Sequence, residues 1–343
     1  MPTPAIFAER FAAQGLSGPP LRDAAAVAER LLAVQGQDPR GARLAVRART
    51  EGLTVADVDR ALSEERSLLI TWLNRGTLHL VRSDDYPWLH ALTTPPLFTS
   101  ATRRLAQEGV SADAAERGMA TIERALADEG PLTRLQLRER LDSAGVPTDG
   151  QALIHLLFLA TLRGSAVRGP MVGKEHAYIL VSDWLDPAAP VDRDAALAEL
   201  ARRYLVGHAP ADDRDLARWA GLPLRDARAG LTAIASQLVE REDGLVRLAA
   251  DPPAAEVPAP RLLGAFDPVL LGWTSREAIL GPHTQFVTTN GIFRPFAMVN
   301  GRAVASWRLN RGKVTIQPLG RIAKGATAAL ATDATDVERF MAA

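Results

Sequence analysis

The chain has 343 residues, with 40 basic and 40 acidic side chains, 47% hydrophobic residues and no cysteine. This composition excludes a mostly disordered chain, and the lack of cysteine excludes disulfides, thiolate catalysis and cysteine-ligated zinc or iron–sulfur clusters. No apolar stretch is long enough to cross a bilayer and residues 1–30 show no secretory signal, so we expect a cytoplasmic protein without membrane contact.

The N-terminal part of the sequence predicts helices followed by a hairpin. Apolar residues recur at helical spacing over residues 21–34 and again over residues 54–66. Two runs rich in β-forming residues follow at 68–73 and 77–81, separated by the turn sequence Asn74-Arg75-Gly76. Helices followed by such a two-stranded wing are typical of a winged-helix unit.

The same order of elements recurs twice along the chain. The second copy has three predicted helices and a pair of strands, at residues 116–128, 133–142, 151–162 and 165–181. The third copy has three predicted helices and a hairpin, at residues 192–204, 211–220, 223–238 and 239–248. The predicted fold class is therefore α+β, with three tandem winged-helix units. Their predicted boundaries are residues 1–110, 111–190 and 191–256.

A basic, β-rich C-terminal region, residues 261–343, follows a proline-rich connection at 252–260. Its period-two patterns and Asn-Gly turns predict short strands. These strands are expected at residues 285–289, 296–299, 303–309 and 313–318, and a short helix near 336–341. Residues 261–324 carry nine basic and two acidic side chains, whereas residues 186–260 carry nine basic and thirteen acidic ones. The neutral total therefore hides a segment that suits a polyanionic partner.

The third helices of the predicted units are poorly suited to reading a DNA sequence. Reader helices present Arg, Asn and Gln to base edges, but residues 151–162 are almost entirely apolar. The equivalent helix of the third unit offers Arg225 and Arg228 and then turns apolar. DNA contacts are therefore expected mainly at phosphates. A winged-helix DNA-binding transcriptional regulator remains the alternative function.

Four arginines crowd residues 40–49 with no acidic residue between Arg40 and Arg49. Arg40, Arg43 and Arg47 would share one face of a helix. A solvated face is the simpler interpretation of such a cluster, and phosphate contact is the functional one. We include Arg40, Arg43 and Arg47 among the predicted DNA-binding residues.

A break in the first predicted helix carries two glutamines. Pro39 biases Asp38 away from the helical conformation, and Gly36 weakens the helix further. In an extended chain, residues two apart share a face, so Gln35 and Gln37 are expected to project together. Helix capping or solvent exposure is the simpler interpretation of these two side chains.

A pair of amides suits a reaction that needs no general acid. Glutamine has no useful pKa, but its carbonyl can orient a water molecule and stabilise developing positive charge. N7-alkylation of guanine makes the base cationic and weakens its glycosidic bond, so the base can leave without protonation by the protein. A placed water and electrostatic support for an oxocarbenium-like sugar are then sufficient. The glutamine pair is compatible with such a hydrolysis.

Four motifs, in consistent order, resemble the AlkZ/YcaQ-type winged-helix DNA glycosylases. They are QGQDPR at 35–40, RGTLH at 75–79, FDPVLLGW at 266–273 and NGIFRP at 290–295. The resemblance covers residues 20–320. With Gln37 at the second position of the motif, the chain resembles the AlkZ-like branch, because the YcaQ-like branch has Asp at that position. Gly36 departs from the pattern, in which a larger apolar residue or Ala is usual.

The resemblance implies monofunctional excision of N7-alkylated purines from double-stranded DNA, without lyase activity, cofactor or metal. It places Gln35 and Gln37 at the catalytic water. Similarity to the AlkZ-like branch also implies bulky natural-product adducts or interstrand crosslinks as substrates, in the self-resistance of antibiotic producers. We expect a monomer that needs no protein partner and associates with the nucleoid through its DNA substrate.

The substrate pocket is predicted at Asp38, Trp72 and His79. Glycosylases usually flip the target base into a snug pocket lined by aromatic side chains. Each of the three residues also has a simpler interpretation. Asp38 would be a turn residue, Trp72 a core residue, and His79 a structural hydrogen-bonding group.

Further DNA contacts are predicted at Arg75, Lys174, His283 and Arg294. A hairpin at residues 281–294, which also contains Gln285, is the candidate DNA-probing element. An edge hairpin of the β-rich region is the alternative interpretation of this segment.

Two other enzyme classes compete with this prediction. A bifunctional glycosylase/lyase needs an accessible amine, which Lys174, or Pro2 after loss of Met1, could supply. A metal-dependent nuclease is disfavoured, because no carboxylate cluster in the sequence has metal-ligand spacing.

Overall fold

The structure, a computed structural model, describes residues 4–173, 175–250 and 256–342. The chain forms two compact units, one combining Met1–Val58 with Asp194–Ala343 and the other comprising Asp59–Arg193. The second unit is thus inserted into the sequence of the first. No helix within the described ranges is long and apolar enough to cross a membrane. The predictions for Pro2, for Lys174 and for the first part of the proline-rich connection lie outside the described residues.

Helices dominate the N-terminal part of the chain. The elements are α1 (Pro4–Ala13), α2 (Ala24–Leu31), β1 (Val34–Gln35), α3 (Pro39–Arg47) and α4 (Val55–Ser63). The predicted break is confirmed, because the extended β1 separates α2 from α3. Asp38 caps α3 by accepting a hydrogen bond from the Gly41 N–H (2.7 Å). Pro39 opens the helix, where its missing N–H leaves no bond unmade.

The second unit packs helices against an antiparallel sheet. Its elements are β2 (Leu68–Leu73), β3 (Thr77–Arg82), α5 (Tyr86–Thr93), α6 (Phe98–Gln107), α7 (Ala112–Glu129), α8 (Arg134–Ser143), α9 (Ala152–Leu162), β4 (Ala166–Val172), β5 (Glu175–Leu180) and α10 (Val181–Trp184). The strands of this unit lie in the order β3-β2-β4-β5. The hairpin turn falls at the predicted place, and Asn74 and Gly76 there have positive φ angles of 53° and 75°. Helix α9 is buried in the core of this unit, as its apolar sequence indicates.

The first unit resumes with helices and ends with a sheet covered by a long helix. The elements are α11 (Arg193–His208), α12 (Asp213–Ala220), α13 (Leu224–Ala233), β6 (Leu238–Glu240), β7 (Val246–Leu248), β8 (Arg261–Leu263), α14 (Glu277–Leu280), β9 (Phe296–Val299), β10 (Arg302–Asn310), β11 (Lys313–Pro318) and α15 (Lys324–Met341). Strands β8 to β11 form an antiparallel sheet in the order β11-β10-β9-β8. Trp307 and Ala297 of this sheet pack against Leu330 and Val337 of α15. The predicted mixture of helices and strands is confirmed.

The predicted strand at 285–289 is wrong, and the hairpin predicted at 281–294 is reduced to a short antiparallel turn, in which the Arg294 N–H donates to the Phe286 carbonyl oxygen and the Thr288 N–H to the Ile292 carbonyl oxygen. A short 3-10 turn occupies Thr284–Phe286, and one bridge between Val287 and Phe293 closes the loop. The 3-10 turn ends the extended conformation at Phe286, so the pairing stops at the hydrogen bond between Phe286 and Arg294.

The short helix predicted at 336–341 is only the last part of the 18-residue α15. Its first half is rich in Ala and Thr and has few large apolar residues, so the sequence pattern was weak there. Burial of Leu330, Val337 and Phe340 along one face stabilises the full length.

Candidate active site

The two glutamines of the broken helix meet in the structure. The Gln35 amide nitrogen Nε2 donates a hydrogen bond to Gln37 Oε1 at 2.5 Å. Gln35 is only 5% exposed, whereas Gln37 is exposed to solvent. The prediction that both side chains project together is therefore confirmed. A buried amide holds an exposed one, and the exposed amide can meet water or substrate.

Asp38 directly follows this pair in the chain and acts as the N-cap of α3. Its Oδ1 atom accepts the hydrogen bond from the Gly41 N–H that caps α3. This agrees with the simpler interpretation of Asp38 as a turn residue. Its role in a substrate pocket stays a prediction.

Arg47 is not a phosphate contact, so that prediction is wrong. Its side chain is 1% exposed and donates to the carboxylates of Asp333 and Asp336 and to the Leu262 carbonyl oxygen. Burial lowers the pKa of the Arg47 guanidinium, and the Asp333 carboxylate opposes that shift. The acidic partners lie in α15, so a local count of charges could not find them.

The neighbouring arginines differ sharply in exposure. Arg49 is fully buried and donates to both carboxylate oxygens of Asp267, at 3.0 and 2.9 Å, and to Gln14 Oε1 at 3.0 Å. Arg43 is mostly buried, with a hydrogen bond to the Pro39 carbonyl oxygen. Arg40 is exposed. Within the predicted cluster, Arg40 is thus the residue best placed to reach a phosphate.

Trp72 and His79 belong to the second unit. Trp72 is 8% exposed, packs in the apolar core and meets the Phe158 ring edge-on, with centroids 5.6 Å apart. The structure therefore assigns Trp72 to the core rather than to a pocket.

His79 is also buried, and its Nδ1 lies 2.8 Å from the Thr77 carbonyl oxygen. Burial and, to a smaller extent, the nearby Arg75 charge lower the pKa of His79 to about 3. The imidazole is neutral at pH 7 and unsuited to donating a proton to a leaving base. Arg75 itself is exposed at the hairpin turn.

The loop at 281–295 presents an apolar residue that sequence reasoning missed. Gln285 and Arg294 are exposed and His283 is half-buried, whereas the side chains of Phe286 and Phe293 point into the core. Ile292 stands out because its side chain is 52% exposed. The Asn290-Gly291 turn was the available signal, since a residue that follows such a turn lies at a loop tip.

In the described part of the chain, no group of three or more His, Asp or Glu side chains is arranged to hold a metal ion.

Comparison with known proteins identifies the class. Residues 28–340 match the family described as DNA glycosylase AlkZ-like, and the chain belongs to that family. This confirms the family that the four motifs indicate.

A relative and a solved structure, both from Streptomyces sahachiroi, are similar to this chain. An interstrand DNA cross-link repair glycosylase is 29% identical, with 91% of this chain and 89% of that relative covered. The solved structure of the S. sahachiroi DNA glycosylase AlkZ shares the fold, with a TM-score of 0.79 and 24% sequence identity. That match covers 98% of this chain and 96% of the other.

Proposed function

We propose that this protein is a monofunctional DNA glycosylase that hydrolyses the N-glycosidic bond of N7-alkylated guanine in double-stranded DNA. The observation that carries the proposal is the hydrogen bond from the buried Gln35 amide to the exposed Gln37 side chain. This bond fixes the orientation of an amide at the protein surface, as a site for a catalytic water requires.

The proposed reaction uses the cationic base as its own leaving group. The C1′–N9 bond breaks with its electron pair going to the base, which neutralises the N7-alkylguanine. Gln37 Oε1 keeps a second lone pair, which can orient a water or stabilise positive charge on the sugar. The water oxygen bonds to C1′, and its proton passes to solvent.

Bulky adducts and interstrand crosslinks are the proposed natural substrates. The relative from S. sahachiroi is named for cross-link repair, and this chain aligns with most of its length. We assign this chain the same role, with self-resistance of an antibiotic producer as the biological setting.

DNA contact is proposed at Arg40, Arg75 and Arg294, which are exposed, and at His283. The three winged-helix units at 1–110, 111–190 and 191–256 and the basic region 261–343 remain part of the proposal, as parts that hold the duplex mainly by its phosphates. The enzyme would act as a monomer. A transcription regulator is not favoured, because helix α9 is buried and cannot read bases.

The test is release of N7-alkylguanine by single-residue variants. We expect Gln35→Ala and Gln37→Ala to fold normally and to excise N7-methylguanine about 100-fold more slowly. Gln107→Ala, a change at an exposed glutamine in the second unit, is the matched control and should retain full activity. Alkali-labile abasic sites in duplex DNA give the readout, with both a methylated and a crosslinked substrate. Full activity in both glutamine variants would overturn the catalytic assignment.

Borohydride trapping tests the monofunctional mechanism. A hydrolase that uses water leaves no covalent enzyme–DNA adduct, so no trapped complex is expected. A trapped complex would instead show Schiff-base chemistry and a lyase activity.

A further inference from the structure

The N-terminal end of α3, directly after the glutamine pair, packs on a backbone segment from the far end of the chain. We call this segment, Leu262–Asp267, the α3 brace. A Cβ atom added at Gly41 would lie only 2.2 Å from the Ala265 carbonyl oxygen. A Cβ added at Gly264 would lie 2.9 Å from the Leu44 Cβ. The helix and the brace therefore touch backbone to backbone, which only glycine allows.

The C-terminal end of α3 is tied to the same brace by hydrogen bonds. Arg47 Nη2 donates to the Leu262 carbonyl oxygen at 3.1 Å and to Asp333 Oδ2 at 2.9 Å. The Leu262 N–H in turn donates to Asp333 Oδ2 at 2.6 Å. Asp333 thus accepts hydrogen bonds from both the helix and the brace and links the two. Both ends of α3 therefore contact the same segment.

We propose that the α3 brace sets the position of the Gln35–Gln37 pair, with Gly41 and Asp333 as positioning residues. The glutamines immediately precede α3, and the cap between Asp38 and Gly41 couples them to its first turn. A shift of α3 away from Ala265 would move this turn and the exposed Gln37 amide with it. The effect on catalysis rests on the proposed function, whereas the effect on the position of the pair does not.

Gly41→Ala is the direct test, because the added methyl group forces α3 off the brace. We expect a Gln35 side-chain amide signal, assigned in ¹⁵N-glutamine-labelled protein by its loss in Gln35→Ala, to shift. We also expect excision to slow by about 100-fold with DNA affinity unchanged, since a displacement near 1 Å suffices for such a loss. Gly325→Ala is the control, because Gly325 also lies in the first turn of a helix, but a Cβ atom added there would meet no atom of another part of the described chain within 4 Å.

Asp333→Asn is the second variant, in case the Gly41 variant does not fold. Its control is Asp336→Asn, because Asp336 also contacts Arg47 but is more exposed and, within the described part of the chain, makes no hydrogen bond to the brace. The same amide shift and a smaller loss of rate, about tenfold, are expected for Asp333→Asn only.

The two readouts separate the failure of one proposal from the failure of the other. An unmoved Gln35 signal in both variants overturns the positioning role, whatever the rates. A shifted signal with slowed excision supports it. A shifted signal with unchanged excision supports positioning but contradicts the catalytic role of the pair.

Discussion

Two regions of the first unit that we assign to DNA are built in opposite ways. The glutamine pair precedes a helix held by buried ion pairs and by close backbone packing. The loop at 281–295 is anchored by the buried side chains of Phe286 and Phe293, and the exposed Ile292 lies near its tip. Charged contacts are directional and fix an orientation, as a placed water requires. Apolar anchors fix the position of a loop without fixing the direction of its side chains, and this is sufficient for a side chain that inserts between base pairs.

The two regions meet at one aromatic contact. Phe266, in the α3 brace, packs against Phe293 of the loop with ring centroids 5.5 Å apart. The Arg276 guanidinium lies over the Phe293 ring, 5.0 Å from its centroid. We expect substitutions in the ionic region and in the apolar region to weaken each region separately.

Asp267→Asn should cause the largest loss of stability. It removes the charge that balances Arg49, and both side chains of this ion pair are 0% exposed. An uncompensated buried guanidinium is expected to lower the free energy of unfolding by about 4 kcal/mol. Urea denaturation followed by circular dichroism measures it. Asp84→Asn breaks an exposed ion pair with Arg82 and should change stability by less than about 1 kcal/mol. Equal losses in the two variants would contradict the proposed importance of burial.

Phe286→Ala should destabilise the protein by a smaller amount, because it removes one of the apolar anchors of the loop. The ring is buried and packs against Phe296 at 5.7 Å. Loss of the buried ring is expected to lower the free energy of unfolding by about 3 kcal/mol. If the loop were not anchored by this side chain, urea denaturation would show no change.

The free energy of unfolding is also expected to depend on pH, because of the buried His208 in α11. This buried imidazole stacks on Tyr204, and burial, aided by the Arg49 and Arg10 charges, lowers the pKa of His208 to about 3. A depressed folded-state pKa contributes stability above the unfolded pKa, and that stability is lost as pH falls. Between pH 7.5 and pH 5, the stability difference between the wild type and His208→Asn should shrink by about 2 kcal/mol. A constant difference across this range would exclude a buried neutral imidazole.

Ile292→Ala should have the smallest effect on stability and a measurable effect on DNA. Its side chain is exposed, so unfolding should change by less than about 0.5 kcal/mol. An apolar wedge at a loop tip can enter a base step, so affinity for damaged duplex should fall about fivefold. Leu135→Ala, at an exposed leucine of the second unit, is the control. Equal affinity in wild type and Ile292→Ala would remove the loop tip from the DNA-binding surface.

Local features of the sequence predicted local structure well. The Asn74-Arg75-Gly76 turn lies where the sequence places it, and Thr133 caps α8 in a capping box with Gln136. Pro39 and the residues before it predicted the break that brings Gln35 and Gln37 together. These signals depend on neighbours in the chain, so a single sequence contains them.

Features that depend on distant partners could not be predicted. The arginine cluster looks basic in the sequence because the acidic residues that neutralise Arg47 and Arg49 come from distant elements. The exposure of Ile292 is likewise set by packing of the folded chain. Burial decides what a charged or aromatic residue does, and burial is a property of the whole fold.

The insertion of one unit into the other has a consequence for protein synthesis. The unit Asp59–Arg193 is synthesised as one continuous segment. Arg49 and Arg47, in contrast, can form their ion pairs only after Asp267 and Asp333 have been translated, 218 and 286 residues downstream. A nascent chain therefore carries both glutamines long before the segment that supports them has been translated. A prematurely terminated chain would contain both glutamines and lack the contacts that hold the following helix in place.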